Sequence, residues 1–89
     1  QDIETIEDAL QKVNKLRGVT FKRKDGKSDK VHMGVIAQEV QEVIPEVVTA
    51  KESDGHLSVS YGNMVGVLIE AVKELTAEVE ELKSKLNDV

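Results

Sequence analysis

After Gly66 the chain contains no helix breaker, and its apolar residues recur at alternating intervals of three and four: Val65, Leu68, Val72, Leu75, Val79, Leu82, Leu86 and Val89. These fill the a and d positions of four heptads, the pattern that winds helices around a common seam. Counted from Asn63, the segment is a helix of roughly 26 residues, about 39 Å long. The whole chain has 89 residues. A body that small cannot cover so long a stripe, so the stripe calls for a partner.

The flanking positions divide the helix in two. In its first half the e and g sites hold Met64, Ile69 and Ala71, a broad apolar face suited to packing on the rest of the domain as well as on a partner. In its second half they hold Thr76, Glu78, Lys83 and Lys85, which narrows the face to a seam. Glu78 at g and Lys83 at e stand five apart, the spacing of an ion pair between parallel helices. A single amphipathic helix on a monomeric core would leave this narrow half uncovered. Val at a with Leu at d leans toward two strands; the residues alone leave a parallel oligomer of two or three.

Composition supports association. One small domain buries a thin core, and with 2% aromatic residues (Phe21 and Tyr61) that core is aliphatic. There is no Cys to staple it or to provide thiol chemistry. The net charge of −5 argues against a nucleic-acid footprint, because Asp25 and Asp29 dilute the basic cluster between Arg17 and Lys30. No apolar run approaches the ~18 residues of a membrane span, and no signal peptide opens the chain. The start at Gln1, without Met, is expected to be a cut within something longer.

Upstream of the long helix the periodicity changes several times, giving an α+β chain. Ile6, Leu10, Val13 and Leu16 share one face of a helix expected over 3–17. Thr5 and Asp8 are placed to cap its start and Gly18 to end it in a left-handed turn. Strands are expected over 19–24 and 30–35 around an Asp25-Gly26 turn. A short helix over 36–44 stops at Pro45. A second hairpin follows, with strands over 46–51 and 57–60 around Ser53-Asp54-Gly55-His56. The expected division is a small body over 1–62 and a coiled-coil helix over 63–89, one domain in all.

Little of this carries chemistry. His32 and His56 lie on different hairpins and, without Cys, form no metal site; His32 reads as a strand-surface residue and His56 as a solvated one. No phosphate loop and no nucleophile elbow is present, and neither a cofactor nor a metal is expected.

One string is familiar: Gly34-Val35-Ile36-Ala37-Gln38-Glu39-Val40, then Val43-Ile44-Pro45-Glu46-Val47-Val48. It resembles the signature of the intramolecular chaperone auto-processing domain that ends phage endosialidases, tail fibres or tailspikes and neck appendages, and that occurs in a few membrane-tethered eukaryotic transcription factors. Glu7-Asp8-Ala9-Leu10 through Leu16-Arg17-Gly18-Val19 is similar to that family's first helix and strand. Leu57-Ser58-Val59-Ser60-Tyr61, then Leu68-Ile69-Glu70-Ala71-Val72-Lys73-Glu74-Leu75, is similar to its closing strand and long helix.

The resemblance implies a homotrimer that registers an upstream fibrous domain of the same polypeptide, acting in the host cytoplasm during virion assembly, with its parent in the virion tail. It implies no nucleic acid, membrane or metal as partner. It further implies self-cleavage by a serine at the start of the domain with a lysine five residues on, a pair that works when desolvation lowers the lysine pKa. The residues five after Ser28, Ser53, Ser58, Ser60 and Ser84 are Met33, Ser58, Asn63, Val65 and Val89. These 89 residues therefore contain no such dyad and no catalytic residue of that kind; it is expected upstream of Gln1. A cap that trimerises without cleaving, or the oligomerisation domain of a transcription factor, are the alternative readings.

Overall fold

The computed structural model describes residues 2–22, 30–50 and 56–87. The elements run α1 (Ala9–Val13), β1 (Val19–Lys22), β2 (Val31–Gly34), α2 (Ala37–Val43), a single 3-10 turn (Pro45–Val47), β3 (Val48–Ala50), β4 (Leu57–Val59) and α3 (Tyr61–Asn87). The α+β class, the two antiparallel hairpins with a helix between them and the long C-terminal helix agree with the sequence reading. The chain divides into two compact units, one of residues 1–14 with 61–89 and one of 15–60.

In the second unit the strand pairs are separate two-stranded antiparallel sheets. β1 meets β2 with Val19 opposite Gly34 and Lys22 opposite Val31. β3 meets β4 with Val48 opposite Val59 and Ala50 opposite Leu57. Cross-strand partners share a face: the Val48–Val59 pair is half-buried, whereas Thr49 and Ser58 face water. The core forms where α2 packs on the 3-10 turn, β3 and β4. Val40 is fully buried there, with Ile44 and Val47 nearly so. The strand expected over 46–51 begins only at Val48, because Pro45 starts the 3-10 turn; its ring fixes φ and it lacks the N–H a strand ladder would use. After β4, the Ser60 N–H donates to the Val47 carbonyl at 2.7 Å. The turns expected at Asp25-Gly26 and Ser53-Asp54-Gly55 lie outside the described residues.

In the first unit the N-terminal helix is much shorter than the 3–17 expected. It spans five residues, preceded by Asp8 in a left-handed conformation (φ 56°, ψ 32°) that makes no side-chain cap. Its start is held instead from α3: the Glu74 carboxylate accepts the Ala9 N–H at 2.8 Å and the Leu10 N–H at 3.2 Å. Such a short helix is marginal by propensity and depends on tertiary contacts. It ends at Asn14, and Gly18 is neither its cap nor left-handed. The residue it buries is Ala9, while Leu10 and Val13 are half-buried and Ile6 and Leu16 lie outside the helix.

α3 starts at Tyr61, two residues before the expected Asn63, and runs 27 residues, about 40 Å. Its buried residues, Met64, Val67 and Ala71, are spaced three and four apart, so they form one line. Glu74 continues that line toward α1. A methyl group added at Gly66 would come 3.6 Å from Ile6 Cδ1, an ordinary contact.

Two substitutions test this unit. Gly66→Ala gains helix propensity without a clash and is expected to raise stability by about 0.5–1 kcal/mol; a lower melting temperature would show that Ile6 cannot yield. Glu74→Ala leaves two helix N–H groups without their acceptor and is expected to cost about 1–2 kcal/mol in denaturant unfolding. An unchanged midpoint would mean that water replaces the carboxylate at no cost.

Candidate functional site

The long helix presents two apolar lines about a quarter turn apart. One is the buried line of Met64, Val67 and Ala71. The other consists of the a and d residues. Val65, Leu68, Val72, Leu75, Val79, Leu82 and Leu86 are between 40% and 73% exposed; Val89 lies outside the described residues. Ile69, at an e position, is exposed beside them. Packing within the chain thus uses the g and c positions and leaves the seam open. The polar flanks are tied along the helix itself, with Lys73–Glu70 and Lys85–Glu81 ion pairs, each 3.4 Å. The Thr76 hydroxyl donates to the Val72 carbonyl at 2.8 Å.

The residues of the familiar string lie together in the second unit. Gly34 ends β2, Val35 and Ile36 join it to α2, and Ala37, Gln38 and Glu39 open that helix. The Ile36 carbonyl accepts the N–H groups of Glu39 and Val40, both at 3.0 Å. Pro45 opens the 3-10 turn, whereas Tyr61 begins α3 rather than ending β4. Glu39 has a definite task. Arg17 grips its carboxylate through two nitrogens, Nε at 3.0 and 3.2 Å and Nη2 at 2.9 Å. This forked pairing adds geometric specificity to charge. It links the segment before β1 to the first turn of α2. The hydrogen bond to Arg17 holds the Glu39 carboxyl below its ordinary range, and the same bond raises the Arg17 guanidinium.

Among the described residues no group of His, Asp and Glu is arranged to hold a metal ion. His32 stacks on Phe21 across the first hairpin, with ring centroids 5.5 Å apart, which gives it a packing role. No helix among the described residues is long and apolar enough to cross a membrane. Among the contacts with no counterpart in the sequence pattern are the Glu74 cap and the Arg17–Glu39 fork. The first had no signal in sequence, since its partners are 64 and 65 residues apart. The second was within reach, because both residues sit in strings that had already drawn notice.

Residues 1–49, the stretch that holds α1, the first hairpin, α2 and the 3-10 turn, match the family model described as chaperone of endosialidase. The chain belongs to that family. Similar curated proteins extend the likeness through the long helix of this chaperone-of-endosialidase domain. The long tail fiber protein Gp37 of Enterobacteria phage K3 is 44% identical over 87 residues, covering 91% of this chain and 7% of that protein. Gp37 of Enterobacteria phage T2 is likewise 44% identical over 87 residues, covering 91% of the chain and 6% of the relative. Gp37 of Enterobacteria phage M1 is 36% identical over 84 residues, covering 88% and 34%. The domain therefore spans a small part of the relatives it matches.

The Arg17–Glu39 fork makes a pH prediction. A carboxyl whose pKa is lowered by folding contributes stability above its unfolded-state value and loses it as pH falls through the folded-state value. Arg17 stays charged throughout that window. The stability difference between the parent and Glu39→Gln is expected to be constant between about pH 6 and 8 and to shrink toward zero in acid. A difference that persists unchanged in acid would show that the carboxylate charge plays no part. Arg17→Lys cannot reproduce the fork and is expected to behave like Glu39→Gln.

Proposed function

We propose that this domain is an intramolecular chaperone that trimerises through α3 and brings three copies of an upstream phage tail-fibre chain into register. The observation that carries the reading is the open seam: seven a and d residues stand 40–73% exposed while the helix meets its own chain along a different line. Monomeric proteins rarely leave a contiguous apolar stripe of this kind in water. Membership in the chaperone-of-endosialidase family and the likeness to long tail fiber proteins support the chaperone role and a parent in the virion tail. Its work falls in the host cytoplasm as the virion is assembled.

The interface consists of Val65, Leu68, Val72, Leu75, Val79, Leu82, Leu86 and Val89, in a parallel trimeric coiled coil, with Glu78 and Lys83 pairing between helices. The proposed functional division keeps a body over 1–62 and a coiled-coil segment over 63–89, although α3 itself begins at Tyr61. The residues from Gly34 to Glu39, with Pro45, fix the turn from β2 into α2. Registering three long fibrous chains is slow and exposed to aggregation. A local bundle that forms first raises the effective concentration of the chains attached to it.

Release by self-cleavage belongs to the full-length parent, with the serine and lysine upstream of Gln1. A second reading is a trimerisation cap that stays attached; the residues immediately before Gln1 discriminate the two, since a serine there with a lysine five residues later favours cleavage. An extended chain carrying the preceding residues distinguishes the two by whether it cuts itself during expression. An oligomerisation domain of a transcription factor is the less favoured alternative, since the relatives are tail-fibre proteins.

Leu75→Asp combined with Leu82→Asp puts unpaired charges into the seam. Light scattering across dilution is expected to give three chains for the parent and one for the variant. An equal mass for the two would sink the coiled-coil interface.

A further inference from the structure

The structure starts α3 at Tyr61, and this changes where the seam begins. Tyr61 lies four residues before Val65, so it occupies the d position of the preceding heptad. The alternation 61, 65, 68, 72, 75 then continues without a break. Tyr61 is 54% exposed, like the a and d residues after it, and it is the first residue of the helix.

Resting on the proposed trimer, we infer that Tyr61 is its opening layer, where three rings pack against one another and against Val65 of neighbouring copies. The partner is a second and third copy of this chain. Three observations favour it over any other occupant: the unbroken heptad phase from Tyr61 into the seam, exposure on the same face, and the g–e charge pattern at Glu78 and Lys83 further along. Tyr suits an end layer. Its ring adds apolar area to the seam.

The chain contains one Tyr and no Trp, so its intrinsic fluorescence reports on Tyr61 alone. The experiment measures acrylamide quenching of that fluorescence in the parent and in the Leu75→Asp, Leu82→Asp chain, with the mass of each taken by light scattering. Quenching several-fold weaker in the assembled parent than in the dissociated variant supports the inference. Far-ultraviolet circular dichroism establishes that the variant keeps its helix. In parallel, Tyr61→Ala should assemble at about tenfold or more higher concentration than the parent, whereas Tyr61→Phe should assemble like it. A parent that assembles but quenches like the dissociated variant, with Tyr61→Ala associating normally, overturns the role of Tyr61 and leaves the trimer intact. A parent that stays monomeric overturns both.

Discussion

A helix of 27 residues in a chain of 89 must bury two apolar lines that point in different directions, and the arrangement of the first unit follows from that constraint. The chain can cover only one of them. It covers the line of Met64, Val67 and Ala71, where Ala71 leaves room for a close neighbour. The larger aliphatic residues, mainly Leu and Val, fall on the other line and remain open. Dividing the helix in this way lets a thin core coexist with an open apolar line, since neither uses side chains belonging to the other.

Both units use carboxylates to fix what apolar contact alone would leave loose. In the first, Glu74 supplies the acceptor that the start of α1 lacks, because Asp8 is left-handed and caps nothing. In the second, Glu39 holds Arg17 in a two-pronged grip at the turn into α2. Each contact joins segments far apart in sequence. The Arg17–Glu39 pair is exposed, so it sets an angle of approach more than it adds stability, whereas the part-buried Glu74 carboxylate does both.

Much of this was legible beforehand. The hairpins showed in the alternation of Val19 and Phe21, and of Leu57 and Val59. The short helix showed in the change of period at Ile36, and the long one in its heptads. The first helix was over-read. Ile6, Leu10, Val13 and Leu16 do fall on one helical face, but periodicity says nothing of the backbone at Asp8, whose left-handed turn removes everything before Ala9 from the helix. The seam could be read because its spacing is local. The line on which α3 meets its own chain was legible in part: Met64 and Ala71 broaden the apolar face of the helix's first half and are both buried, whereas Val67 at a c position carried no such signal and Ile69 at e stays exposed.

The contacts along α3 also have a direction. Ile6 lies beside Gly66, and Ala9 and Leu10 lie beside Glu74, so the N-terminal segment advances the same way as the helix it rests on. A pull on that segment toward the start of α3, resisted at the helix's far end, acts along the contact. The two hydrogen bonds at Glu74 then share the load together instead of opening in turn. The attachment resists sliding more than peeling.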